Sequence, residues 1–597
     1  MNCKYEPFDR TSSSRPPQQN DPSLACFLNS LARESSAIHI QPLDSCYVYQ
    51  IPLSDNRAIH ITLSYFSELG SHEYRLPARL HRDGEIRNIS TQELIEFVVR
   101  EPALTGNVNP DQQAIFLTRV LESVQNTRYA VTHSPYQTQL FTDKLNFQTA
   151  EQGLLIGHSF HPAPKSREQF SLNDAREYSP ELGGQFSLYW LTVEHSLLAT
   201  GSSANVPLTQ RLGELVAQDP VLTDALADAS TLGHALLPVH PWQWSVLKQM
   251  PSVQLYLETG QIRNLGQIGD RWYPTSSTRS LYAPTLPYML KFSLSVKLTN
   301  SIRNLSLKEV IRGTRLNDLF QHDDLAAQLG NEQGFQLMHE PAYMGLKDRD
   351  GTIIDESLVA FRDNPFADDP QQEAVVLATL TQQNPYAASS LVAERIRHYA
   401  GVQNLSAADA AKHWFRAYCT HAVVPLFRLQ ANFGIVFLAH QQNIVMQLDN
   451  GCPIGTYYRD CQGTGYTDLA FELFADRLHA DKDSLENYWD EDKVRRYFAY
   501  YLIINSTFNV IAAICATLEV CEAELIHILH QQLTSLLQEG VRDDRCLRYV
   551  LTSDALCCKG NFFCYLQNLN ENSIPDPAVI YFDLPNPLAR VKEVTHG

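Results

Sequence analysis

Apolar and polar residues alternate most strictly between Tyr288 and Thr299. Tyr288, Leu290, Phe292, Leu294, Val296 and Leu298 fall on one face of this pattern, and Met289, Lys291, Ser293, Ser295, Lys297 and Thr299 on the other. A period of two over this length predicts a strand with one buried and one polar face. Ala283-Pro284-Thr285-Leu286-Pro287 predicts a turn just before it. Folding the chain about Thr285 sets Arg279 opposite Lys291 and Ser277 opposite Ser293. From Asn300 to Asn317 the pattern becomes helical, with Thr299 or Asn300 as N-cap. Arg303 then falls in the first turn, beside backbone amides suited to an anion. A straight strand separates Lys291 from Thr299 by about 26 Å. Either the sheet twists sharply, or its two ends grip different parts of the reactants.

Elsewhere the pattern is helical or mixed. Thr91–Val99 and Ala114–Val124 read as amphipathic helices. Ile444, Val445, Met446 and Leu448 form a short strand, Asp449-Asn450-Gly451 a turn, and Pro453–Tyr458 the return. Tyr497–Val520 carries a single charge, Glu519 near its end, and contains Asn505, Ser506, Thr507 and Asn509. It reads as a buried helix of a soluble domain rather than a membrane span. Residues 1–22, rich in Ser, Pro and Gln, read as disordered. Three lobes follow, at 23–150, 151–385 and 386–597, with a weak boundary near 366–388. The fold class is α+β.

The 597 residues include 47 basic and 66 acidic ones, for a net charge of −19. This excludes a nucleic-acid partner, which requires a basic face. The twelve cysteines form no CxxC pair, and are read as reduced thiols in a cytosol. The N-terminus has no apolar signal core.

Against this acidic background, no Asp or Glu occurs between Asp270 and Glu309. Arg279 and Lys291 facing each other across a sheet repel unless an anion sits between them, and a polyphosphate suits that place. A solvated outer sheet face is the plainer reading of the same pattern. The second hairpin brings Asn443 near Asp460. An amide oxygen and a carboxylate make a hard oxygen site suited to Mg²⁺. His440 and Gln442 lie close by, and Arg459 is available to a substrate carboxylate. Kinases place a metal-binding Asn and Asp around a hairpin in the same way, with a catalytic Asp five residues before the Asn. That position holds Leu438. A carboxylate nucleophile is already ionised at neutral pH and needs no such base, so acid activation is favoured over phosphorylation of an alcohol. The chain contains no GxxxxGK[ST] loop. His158-x-x-His161 has zinc-like spacing, but Pro162 and the missing third ligand count against it. His240-Pro241 reads equally well as a buried turn.

Several segments together resemble the NRPS-independent siderophore synthetases, the aerobactin-synthetase-like superfamily. They are GHSFHPAPKSREQF (157–170), LPVHPWQW (237–244), TSSTRS (275–280), LKFSLSVKLTNSIRNLS (290–306), FRDNP (361–365), AHQQN (439–443), YRD (458–460) and PNPL (585–588). The resemblance implies a cupped hand of thumb, fingers and a distantly kinase-like palm. It implies adenylation of citrate or a related polycarboxylate by ATP, then transfer to an amine or hydroxyl. Ser277, Thr278, Arg279 and Lys291 would contact the phosphates, with His158 or His161 and Lys165 nearby. Thr299, Arg303, His440 and Gln442 would hold the carboxylate, and Asn443 and Asp460 would hold Mg²⁺. Arg303, His440, Lys291 and Arg279 would carry the catalysis. A homodimer is also implied. The family pattern has Pro at Ser159, Gly at Gln169 and often Glu at Leu438, so the roles of those neighbours do not carry over.

Overall fold

The computed structural model describes residues 21–43, 46–106, 108–299, 301–332, 334–478, 487–569 and 580–591. Most of the segment expected to be disordered, and Asn300, lie outside these residues. Asp21 and Pro22 do not fit that expectation. Asp21 caps the helix Pro22–Glu34 by accepting the Leu24 N–H, and Pro22 takes the first helical position.

An N-terminal antiparallel sheet runs in chain order over five strands from His39–Leu43 to Glu85–Ile89. Its buried face packs on Pro22–Glu34, Thr91–Arg100 and Pro110–His133. The short helix Phe562–Leu566, near the other end of the chain, enters the same core. Thr91–Arg100 starts where the sequence predicts, because Ser90 and Glu93 form a reciprocal capping box.

The central sheet has eight strands in the order Leu198–Ser202, Ala342–Leu346, Val359–Asp363, Tyr288–Phe292, Ser280–Tyr282, Ile262–Pro274, Phe186–Glu194, His234–Val239. A third sheet joins Phe335–Leu337, Cys452–Tyr458, Ile444–Asp449 and Ala374–Val376. It packs against the C-terminal helices in the largest core. Asn450 and Gly451 both have positive φ, 49° and 83°, as a two-residue hairpin turn requires. Tyr497–Cys515, the larger part of that apolar run, lies in the continuous helix Glu491–Cys515, whose most apolar window is 89% buried. Its Ser506 donates to the Ala439 carbonyl, and its Asn509 donates to Thr381 and Gln441. The helix is thus a core element whose polar residues support the hairpin loop.

Three local expectations are corrected. The alternating run is two strands, Tyr288–Phe292 and Leu294–Leu298, parted at Ser293. The Ser293 hydroxyl is engaged by the Asp355 carbonyl and the Leu305 N–H, which pulls the chain off the central sheet. Neither face of Tyr288–Phe292 is solvated; all five residues are buried. The register pairs Ser280, not Arg279, with Lys291, so the turn pivots between Thr285 and Leu286. A one-residue slip exchanges the faces.

Beyond the break, Leu294–Leu298 folds back on the strand Ser301–Arg303 as a two-stranded arm, with Arg303 opposite Leu294. Arg303 is therefore in a strand and not in a first helical turn. The helix begins later, at Leu307–Leu319, where Ser306 and Glu309 supply the capping box. The fold-back also returns Arg303 to the hairpin that carries Arg279. There the Arg279 guanidinium donates to the Arg303 carbonyl at 2.9 Å.

Candidate functional site

One cavity of about 330 Å³ opens between the central sheet, the third sheet and the C-terminal helices. Every residue singled out from the sequence lines it: Ser277, Thr278, Arg279, Lys291, His158, His161, Lys165, Thr299, Arg303, His440, Gln442, Asn443 and Asp460.

The floor is a buried charge network. The Lys291 ammonium, 3% exposed, contacts the Asp460 carboxylate, the Gln462 amide oxygen at 2.8 Å and Glu340 at 3.4 Å. Glu340, 1% exposed, also receives the Arg362 guanidinium at 2.5 Å. Burial pushes the Asp460 carboxyl up, but Lys291, Arg362 and Arg279 outweigh this and hold it well below the usual carboxylate range. Asp460 is therefore ionised, and its backbone is left-handed, with φ of 80°. Asn443 enters from the other strand of the hairpin. Its amide N–H donates to the Leu438 carbonyl at 3.1 Å. This anchors the amide by its nitrogen.

The loop Thr275–Ser280 is held from outside. Glu151 accepts the Ser276 N–H at 2.8 Å and pairs at 2.8 Å with Arg459, both acid and guanidinium being buried. Arg459 is thus a strut for this loop, not a receptor for a substrate carboxylate. Thr278 has φ of 66°, a strained value for a β-branched residue.

Arg279 and Arg303 differ from the floor cations. Arg279 donates only to the carbonyls of Arg303 and Asn304, and Arg303 only to the Leu298 carbonyl and the Thr299 hydroxyl. Among the described residues, no carboxylate pairs with either. Burial first, then the neighbouring Arg279 charge, pulls Arg303 down to about 10, with Asp460 opposing.

The histidines share one local geometry. His158, His161 and His440 each accept, at Nδ1, the backbone N–H of the residue two positions on, as buried His240 also does. A ring that accepts at Nδ1 carries its proton on Nε2 when neutral. Burial and neighbouring cations lower His158 to about 3, and burial lowers His440 to about 4 despite Asp460. Both are therefore neutral donors at pH 7. Asn505 lies 3.1 Å from His158 Nε2, and this tautomer has its amide oxygen facing the ring. Lys165 donates to the Leu154 carbonyl at 2.6 Å and pairs with Glu181 at 3.3 Å. Arg167 pairs with the same acid. Among the described residues, no group of three or more His, Cys, Asp and Glu side chains could hold a metal. The His158-x-x-His161 spacing therefore has no third such ligand.

Sequence reasoning missed several members of this site. Glu340, outside every motif segment, neutralises two cations. Arg362 stood in the FRDNP segment without a role. Gln462 lies two residues beyond Asp460. Glu151 and Glu181 carried no signal, because their partners are distant in sequence. Tyr500, Tyr501, Asn505, Lys559 and Asn561 form a further wall of the cavity.

The IucA / IucC family model matches residues 146–382, and the model for the ferric iron reductase FhuF-like transporter matches 412–574. A Vibrio mimicus N(2)-citryl-N(6)-acetyl-N(6)-hydroxylysine synthase is 70% identical over 97% of this chain and 97% of its own. The Escherichia coli protein of the same name is 38% identical over 95% and 97%. The ATP-bound aerobactin synthetase IucA of Klebsiella pneumoniae superposes with a TM-score of 0.89. It is 38% identical over 95% of this chain and 99% of its own. Matches of this length and identity place the chain in the IucA/IucC family of NRPS-independent siderophore synthetases.

Proposed function

We propose that this chain adenylates a carboxylate of citrate with ATP and joins the citryl group to the α-amine of N6-acetyl-N6-hydroxylysine. The identity of the product rests on the name of the 70%-identical relative. The chemistry rests on one observation above all: two half-buried guanidiniums, Arg279 and Arg303, share a cavity in which, among the described residues, neither is ion-paired to a carboxylate.

A citrate carboxylate attacks the α-phosphorus, and pyrophosphate leaves with the bonding pair. The amine nitrogen then attacks the acyl carbon. The C–N bond forms, AMP leaves with the C–O pair, and the nitrogen sheds its proton. Ser277, Thr278, Arg279 and Lys291, with His161, His158 and Lys165 near them, meet the phosphates. Thr299, Arg303, His440 and Gln442 meet the carboxylate substrate. His440 serves as an Nε2–H donor to an anionic oxygen, a role that a neutral ring performs without a proton transfer. Preorganised donors of this kind commonly supply the largest catalytic contribution.

Asn443 and Asp460 would hold Mg²⁺, for which an ionised carboxylate and a nitrogen-anchored amide are a fitting donor pair. When bound, the ion would offset charge on the phosphates. The kinase alternative is disfavoured by Leu438, which stands where a kinase needs its base. The working division into thumb (23–150), fingers (151–385) and kinase-like palm (386–597), a homodimer and a cytoplasmic location complete the reading. Hydroxylamine trapping with ATP across a panel of carboxylic acids tests it. Citrate is expected to give the strongest hydroxamate, with AMP and pyrophosphate. Formation of ADP, or equal signals from all acids, would overturn it.

A further inference from the structure

The two loops assigned to the reactants belong to different sheets. Thr275–Ser280 joins the strands Ile262–Pro274 and Ser280–Tyr282 of the central sheet, and residues 439–443 lead into Ile444–Asp449 of the third. On the cavity floor, Lys291 and Asp460 tie the two sheets together. At the level of the loops the joint is Arg459. Its Nε and Nη2 donate to the Gln442 carbonyl at 2.9 and 2.7 Å, and its backbone N–H donates to the Asn443 carbonyl at 3.0 Å. The same Nη2 stands 3.4 Å from the Ser276 hydroxyl, which the Gln442 side-chain amide also reaches at 3.3 Å. Glu151 completes the joint. It takes Arg459 Nη1 at 2.8 Å, Nη2 at 3.2 Å and the Ser276 N–H at 2.8 Å. The guanidinium is 3% exposed and the acid 1%, so water competes little for these contacts.

Glu151 comes from neither loop. The short helix Phe147–Gln152 carries it, and that helix is fixed along its length. The Phe147 ring stacks on Phe366 at 4.3 Å between centroids. The Ala150 carbonyl accepts the Thr379 hydroxyl at 2.8 Å. The Gln152 amide donates to the Gly184 carbonyl at 2.8 Å and accepts the Tyr136 hydroxyl at 2.6 Å. The acid is thus presented from a fixed point. The reaction gives this a purpose. The citrate carboxylate and the α-phosphate are both anionic, and they must be held in line at about 3–3.5 Å before the attack. The nucleotide belongs to the loop of Ser277, Thr278 and Arg279, and citrate to the loop of His440 and Gln442, so the gap between the loops sets the distance of attack. We propose that Arg459 and Glu151 are positioning residues for the adenylation step, which fix that gap without touching either reactant. The inference rests on the ligase reading and adds a role outside the residues assigned to it.

The test compares Arg459→Lys, Glu151→Gln and Ser276→Ala with the parent. The readouts are the ATP dissociation constant and binding stoichiometry, the KM of citrate, and kcat for citrate-dependent pyrophosphate release. Lysine keeps the charge opposite Glu151, but a single ammonium cannot bridge Gln442 and Ser276 as the planar fork does. Misplacement by about 1 Å can cost about 10² in rate. Arg459→Lys is therefore expected to lower kcat about 10²-fold, with undiminished ATP stoichiometry and with the ATP dissociation constant and citrate KM each within about threefold of the parent. Glu151→Gln is expected to lower kcat about tenfold, and Ser276→Ala about fivefold, with the same split. A kcat for Arg459→Lys within about threefold of the parent would overturn the proposal. So would a loss of ATP affinity as large as the loss of rate, which would make Arg459 a nucleotide ligand. A stoichiometry that falls as far as the rate would also overturn it, leaving the pair a role in the fold alone. If the parent itself releases no pyrophosphate with citrate, the ligase reading fails, and the positioning role with it.

Discussion

Lys291 and Arg362, on the floor of the cavity, are neutralised by Glu340 and Asp460, whereas Arg279 and Arg303 are held only by carbonyl and hydroxyl oxygens. The two pairs share one wall and carry the same formal charge, yet do different work. A buried cation with a buried acid is part of the scaffold, since removing either partner strands the other in a poorly polarisable interior. A half-buried cation held only by neutral oxygens carries a desolvation cost, which an arriving anion offsets. The sequence treats Arg279 and Lys291 alike, as one-sign residues on a β-hairpin. The structure separates them by what stands behind each.

This contrast can be broken most forcefully at Glu340. Glu340→Ala removes the close partner of Arg362, leaves Lys291 to Asp460 alone, and is expected to lower stability by about 3–5 kcal/mol in urea unfolding. A loss under about 1 kcal/mol would mean that the floor network is not structural. At the other pair, Arg303→Ala is expected to lower citrate-dependent pyrophosphate release by about 10² or more. Near-parental release would remove Arg303 from the reaction. A pH dependence sharpens the comparison from the neutral side. Burial lowers His72 and His240 to about 3, with the Arg33 charge adding to the effect at His72. Between pH 6.5 and 3 the folded protein therefore binds fewer protons than the unfolded chain. Stability is then full above pH 6.5 and falls by about 1.4 kcal/mol per pH unit for each histidine below it. Unfolding measured at pH 7 and pH 5 checks this, and an unchanged midpoint would show that these rings are not held neutral.

The sequence was most legible where the signal was local. Asn450-Gly451 marks its turn because few other pairs accept two positive φ values. Ser90 and Glu93 mark a helix start by reciprocal capping. Ser306 and Glu309 give the same signal, and heeding it would have put the helix start after Arg303. The strand break at Ser293 was not legible, because one hydroxyl partner, Asp355, lies 62 positions away. Nor was the Lys291–Glu340 pair, at a separation of 49. The candidate site was legible as a list of segments with a family resemblance. Which of its cations were already satisfied was not, because that depends on acids brought in from other strands.

The central claim is that Arg279 and Arg303 are an unfilled demand for anions. The most direct test is the unfolding temperature of the double variant Arg279→Met/Arg303→Met, with and without ATP and citrate. The account predicts a ligand-free variant at least as stable as the parent, because mutual repulsion is relieved, and little further gain when the ligands are added. A variant that is less stable alone, yet gains as much from ATP and citrate as the parent does, would contradict it.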